Sequence, residues 1–266
     1  MKFTLLFDLD DTLLATGTDQ FLHAYMKALG GHLAKVVDPD RMIPQLLSAT
    51  GEMVKNQRPD RTLEQVFDDA FYAPLGLEKP VVIDIINDFY ANRFPVLRNT
   101  THPRPKAIRL INNLLAQGHR VVIATNPVFP QTAIEQRLEW AGLSSADYDF
   151  AIVPGFEHFH FAKPNPAYYT ELLARLGYPT DPVIMVGNDP KNDIIPSSQV
   201  GILPFFLHKD DLPVPPEAIA HGDFDDLEDW LENLQPEQGL MRSELHHLPI
   251  LRTTPAVLSH FSTEIS

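Results

Sequence analysis

The chain has no cysteine among its 266 residues. Disulfides, a thiolate nucleophile and cysteine-held metals are therefore excluded, and the cellular compartment has to be read from other features. A basic surplus is missing too. Lys and Arg number 21 against 35 Asp and Glu, a formal net charge of -14, which argues against nucleic acid or an anionic membrane surface as partner. A phosphorylated small molecule stays open, because one pocket needs only local positive charge. No apolar run approaches the length of a membrane span. The apolar stretch 3–7 is too short for an export signal and ends in acid, so a soluble, cytoplasmic protein is expected.

What is present is a repeating pattern of short apolar runs and amphipathic stretches. Runs at 3–7, 120–124, 150–153 and 183–186 read as buried parallel strands, with 202–207 a fifth. Between them the stretches 106–117, 131–141 and 166–176 have helical apolar periodicity and end at Gly118, Gly142 and Gly177. Repeated helix, glycine, strand units predict an α/β fold: a Rossmann-like, doubly wound parallel sheet.

Residues 17–96 break this rhythm, and four helical patterns follow one another there, at 19–33, 40–49, 62–73 and 80–93. The third opens with a capping box, Thr62 with Gln65, and the fourth with proline in its first turn. The expected organisation is thus a core of 1–16 and 97–235 interrupted by a helical insertion. Phe224, Leu227, Trp230, Leu231 and Leu234 form one apolar helix stripe expected to pack on the core, after a proline-rich connector at 212–216. Within the extension 236–266, residues 240–266 are too apolar for a plainly disordered tail and are expected to cover the core, the insertion or a second subunit of a homodimer.

Four places carry the chemistry. Asp8, Leu9, Asp10, Asp11 and Thr12 follow directly on the run 3–7, at the carboxyl end of a predicted strand, where open α/β sheets place their sites. Three carboxylates within four positions repel one another, and a divalent cation or phosphoryl group passing among them accounts for their closeness. The alternative is an acidic turn or helix cap. The second predicted strand end carries Thr125 and Asn126, a hydroxyl and amides suited to phosphate oxygens or to a helix cap. Lys163 stands just before a helix start, where an anionic partner fits. A fourth loop, 187–193, holds Asn188, Asp189 and Asp193, oxygen ligands of the kind Mg²⁺ requires.

These four pieces, in this order, resemble the haloacid dehalogenase superfamily of phosphohydrolases over residues 1 to about 207. The insertion is similar to that family's small α-helical cap. The resemblance implies Asp8 as nucleophile through an aspartyl phosphate, and Asp10 as acid and then base. Thr125, the Asn126 amide and Lys163 would hold the phosphoryl oxygens. Mg²⁺ would sit on the Asp8 carboxylate, the Asp10 carbonyl and the fourth loop, and Asp193 would orient Lys163 or a metal-bound water. The family usually places Asp directly after the glycine of that loop, whereas this chain has Asn188 there and Asp189 next. Either Asn188 ligates through its neutral oxygen, or the loop shifts and Asp189 reaches the metal. The expected function is an Mg²⁺-dependent phosphatase acting on a small phosphomonoester. A phosphomutase and a non-catalytic binding protein are alternatives, and Asp10 disfavours haloacid dehalogenation.

Other residues draw a plainer reading. His158 and His160 have a zinc-like spacing but no third ligand, and are expected in a loop or edge strand packing near Lys163. Glu52, Lys55, Asn56 and Arg58 read as a solvated loop between helices, and Asp11 as a turn or helix-start carboxylate. Phe129 and Pro130 either wall the site or start the next helix.

Overall fold

The computed structural model describes residues 1–208 and 213–234. Its first strand, β1 (Thr4–Phe7), is buried at every position, as a strand covered on both faces requires. After a two-residue strand, β2 (Leu14–Ala15), the chain enters the helical insertion: α1 (Thr18–Leu33), α2 (Pro39–Lys55), α3 (Leu63–Leu75), α4 (Lys79–Asn92) and a 3-10 segment, Phe94–Thr100. It leaves through β3 (His102–Pro103), which pairs antiparallel with β2, so entry and exit form one narrow stem.

The insertion follows its local signals closely. The Thr62 and Gln65 capping box forms, and α3 ends at Gly76 in a left-handed conformation. The largest boundary difference is in α2, which runs on to Lys55 instead of stopping at 49. Gly51 inside it costs about 1 kcal/mol, less than the roughly 1.5–3 kcal/mol from burying Met53 on the next turn. Glu52 and Lys55 are therefore helical, and Asn56 is a buried cap whose Nδ2 donates to the His160 carbonyl at 2.8 Å. The solvated loop expected there is corrected to a tie between insertion and core.

The core continues with α5 (Pro105–Ala116), β4 (Arg120–Ile123), α6 (Gln131–Trp140), α7 (Pro166–Arg175) and β5 (Val183–Gly187). It closes with the short α8 (Ile195–Ser198), β6 (Leu203–Leu207), β7 (Ala220–Gly222) and α9 (Phe224–Asn233). The five-stranded sheet has the order β4-β1-β5-β6-β7 and is parallel throughout. Side chains alternate across it. Leu5, Phe7, Ile123 and Val186 join the larger apolar cluster shared with α5, α9 and the insertion, while Leu6, Val122 and Met185 meet Tyr168, Leu172 and Phe159 on the other face.

One expected strand is not formed. Residues 150–153 run beside the edge strand β4 with two main-chain bonds, Ala151 N to Val121 O at 2.9 Å and Ile123 N to Ile152 O at 3.0 Å, but bend at the exposed Ala151. They lie half-exposed outside the sheet, so the apolar run there lines an edge. The stripe of α9 packs on the core as expected, with Trp230 5.7 Å from Phe205. The extension 236–266 and part of the connector 212–216 lie outside the described residues. Among the described residues no helix is long and apolar enough to cross a membrane.

Candidate active site

β1 lies between β4 and β5, so the chain leaves β1 to one side and later returns on the other. That is a topological switch point, and the loops after the three strands open a crevice there. Phe7 is in register with Ile123 and Val186, and the Asp8 amide extends the ladder to the Val186 carbonyl at 3.0 Å. Asp8, Thr125 and Asn188 therefore emerge at one edge.

Lys163 is the hub of this edge. The residue is 2 % exposed, and its ammonium donates to Asp8 Oδ1 at 2.8 Å and to Asp193 Oδ1 at 2.6 Å. Burial alone would pull the ammonium below its ordinary value, but the charges of Asp193 and Asp8 hold it above, so it stays a cation. Burial pushes the Asp193 carboxyl up, with Lys163 opposing. Asp193 also accepts from the Asp189 amide at 3.0 Å. Its side chain lies against the end of β5, where a Cβ on Gly187 would stand 2.6 Å from Asp193 Cβ. Only glycine fits there without displacing the carboxylate.

Asp10 and Asp11 diverge. Asp10 Oδ1 accepts from the Thr16 hydroxyl at 2.7 Å, and its other oxygen pairs with the Arg137 guanidinium. Asp11 sits at φ 56° and accepts from the Thr16 and Gly17 amides at 2.9 Å and from the Thr18 hydroxyl at 3.0 Å. Burial opposes its ionisation, yet these donors hold its carboxyl below the usual range. It is the turn and helix-start carboxylate expected from sequence.

Thr125 is buried, and its carbonyl accepts from the Tyr168 hydroxyl at 2.8 Å. Asn126 Oδ1 accepts from the Lys163 amide at 3.1 Å, which fastens the second strand end to the lysine. In the fourth loop the two oxygen candidates separate. Asn188 Oδ1 accepts from the Thr12 hydroxyl at 3.0 Å and so lies against the first loop. The Asp189 carboxylate caps its own turn, accepting from the Lys191 and Asn192 amides at 2.8 and 3.2 Å and from Asn192 Nδ2 at 2.6 Å.

Arg137 joins this edge without having been expected there from the sequence. It is buried, its Nε has no hydrogen-bond partner, and its Cζ lies 5.1 Å from the Phe21 ring and 5.4 Å from the Phe129 ring. Burial pulls it down to about 10, with the charge of Asp8 opposing. A signal existed: Arg137 occupies the apolar face of α6 between Ile134 and Leu138. The imidazole of His160 pairs instead with the fully buried Glu171, Nδ1 to Oε1 at 2.9 Å, which ties its loop to α7 just before Lys163.

A family model described as haloacid dehalogenase-like hydrolase matches residues 4–201. The chain belongs to that family. This hydrolase is 29 % identical over 136 residues to a phosphoglycolate phosphatase of Rhodospirillum rubrum, an alignment covering 50 % of this chain and 54 % of that protein. The hydrolase thus spans about half the length of that curated relative. Among solved structures it resembles a 2-haloacid dehalogenase from Pseudomonas syringae pv. Tomato DC3000, with TM-score 0.57 and 20 % identity, covering 88 % and 99 % of the two chains. It also resembles a HAD phosphatase from Thermococcus onnurineus, with TM-score 0.53 and 19 % identity, covering 87 % and 98 %. At these identities the likeness concerns the fold.

In the hydrolase the insertion packs against α6 and the second loop. Phe94 stacks on Trp140 with centroids 5.2 Å apart, and Tyr25 meets Phe129 edge-on at 5.2 Å. A cavity of about 440 Å³ remains between them, with Asp10, Asn126, Phe129 and Arg137 among its lining residues. Phe129 and Pro130 both line this cavity, and Pro130 also stands at the N-cap of α6.

Proposed function

We propose that this protein is an Mg²⁺-dependent phosphomonoester hydrolase that works through an aspartyl phosphate on Asp8. The observation that carries the reading is the Asp8 carboxylate at the switch point, held 2.8 Å from a buried lysine cation, with Asp10 two residues on at the cavity lining. The family membership and the phosphatase relative support the same reaction class.

Asp8 forms a bond to phosphorus as the ester P–O bond breaks, and Asp10 gives its proton to the departing alcohol oxygen. Water then attacks phosphorus, Asp10 takes the water's proton, and the Asp8–phosphate bond breaks to release inorganic phosphate. Thr16 and Arg137 orient Asp10 for both transfers. Lys163, Thr125 and the Asn126 amide face the phosphoryl oxygens, so most of the acceleration is electrostatic. Asp193 acts by holding Lys163.

The donor set fits a hard divalent cation, because the Asp8 carboxylate, the Asp10 main-chain carbonyl and the Asn188 amide oxygen are all oxygens on adjoining strand-end loops. Asp189, whose carboxylate is spent on its own turn, is the weaker of the two fourth-loop candidates. When bound, Mg²⁺ supplies charge compensation for the phosphoryl group. The insertion 17–96 then serves as a cap over a core of 1–16 and 97–235.

The test is turnover of a phosphomonoester panel with Mg²⁺ by the wild type and by Asp8→Asn. The variant should lose at least about 10⁴-fold in kcat, with an unchanged circular dichroism spectrum. Peptide mapping after rapid acid quench should place a phosphoryl group on Asp8 in the wild type. Unchanged turnover in the variant would remove the proposal.

A further inference from the structure

The cavity under the insertion has a chemistry of its own. Its walls come from all four insertion helices and are largely apolar, with Phe21, Leu46, Phe67, Phe71 and Ile86 among them. The charged residues that line it are Asp10, Glu64, Asp68 and Glu157 against Lys79 and Arg137. Both cations are already paired. Lys79 donates to Glu64 at 2.8 Å and to Asp68 at 2.6 Å, and Arg137 is paired with Asp10. A carboxylate or second phosphate entering here would meet a surplus of acid and no cation without a partner, at a desolvation cost that an apolar group does not incur.

The cavity is also continuous with the catalytic edge, because Asp10 and Asn126 line it. A phosphoryl group at Asp8 would direct its alcohol portion into this space. Its volume lies within the range of pockets that enclose drug-sized ligands, well beyond a two-carbon acid. Arg137 lines the same space with its guanidinium over the Phe21 and Phe129 rings, so the cation that borders the cavity is itself packed in aromatic surroundings.

We propose that this cavity is the leaving-group subsite and that it selects phosphomonoesters of uncharged, bulky apolar alcohols, aryl or medium-chain alkyl, over small carboxylated ones. The proposal rests on the phosphatase reading above. It separates this chain from its phosphoglycolate phosphatase relative, whose named substrate is small and carries a carboxylate.

The experiment compares kcat/KM for methyl, butyl, hexyl and 1-naphthyl phosphate and for phosphoglycolate, with the full chain and Mg²⁺. Each methylene buried should raise kcat/KM about fourfold, and 1-naphthyl phosphate should exceed phosphoglycolate by at least about tenfold. A flat series, or a preference for phosphoglycolate, overturns the proposal. Met26, on the α1 wall, supplies two variants. Met26→Trp fills the space and Met26→Ala removes contact, and each should lower the naphthyl-to-methyl ratio, which within one preparation does not depend on the folded fraction. An unchanged ratio in both overturns the subsite. If no ester is turned over, the phosphatase reading fails, and calorimetry with 1-naphthol decides the cavity separately. Binding to the wild type that weakens in Met26→Trp supports it, and absence of binding overturns it.

Discussion

The Asn188 side-chain oxygen accepts a hydrogen bond from the Thr12 hydroxyl at 3.0 Å, which fastens the fourth loop to the first across the mouth of β1. This neutral oxygen stands where the family usually places a carboxylate. The metal site as proposed therefore has one negative charge fewer. Asn188→Asp, which keeps an oxygen for Thr12, should tighten Mg²⁺ binding on the order of tenfold, measured by calorimetric titration. Equal affinity in the two proteins would show that residue 188 does not touch the metal.

Lys163 is the single cation between Asp8 and Asp193 in this buried hub. Lys163→Met removes the one cation that both carboxylates contact and should cost about 3–5 kcal/mol of stability, read from denaturant unfolding. Adding Asp193→Asn should restore part of the loss, because the residues are coupled. Strictly additive effects would contradict the hub.

Gly187 gives the Asp193 side chain the room it needs beside β5. Gly187→Ala should lose about 1–3 kcal/mol through overpacking, and its kcat should fall because Lys163 moves with Asp193. Wild-type stability together with wild-type kcat would show that the loop tolerates the methyl group.

Burial raises the Glu157 carboxyl above its ordinary 4.5, while its oxygens accept from the Gln131 amide at 3.0 and 3.1 Å. A raised native value means that the folded protein holds this proton more tightly than the unfolded chain. The contribution is fully present below pH 4.5 and is lost as pH rises through the native value. Glu157→Gln has no such proton, so its Tm minus that of the wild type should become more positive as pH rises from about 4.5 to 7. A difference independent of pH would contradict the burial argument.

Much of the fold was legible because its signals are local. The capping box at Thr62, the glycines after 117, 141 and 176, and the apolar runs of β1, β4 and β5 each act over a few residues. The run 150–153 misled because an apolar stretch can line a sheet edge as readily as enter the sheet. Asn56 misled because a polar residue between helices looks solvated until the His160 carbonyl, 104 positions away, meets it.

The sequence by itself determined the order of the chemical groups along the chain: Asp8 and Asp10 after the first strand, Thr125 after the second, Lys163 before a helix start, then Asn188 to Asp193 after the strand that follows. Periodicity and motif spacing are properties of the chain, so they can be read before it folds. Only the tertiary structure decided how these groups are used. It buried Lys163 between Asp8 and Asp193, set Arg137 on Asp10, turned Asp189 into its own loop and left an apolar cavity above the site. Those outcomes depend on distances between residues far apart in sequence, and on which charges are left without water, and no local pattern encodes either.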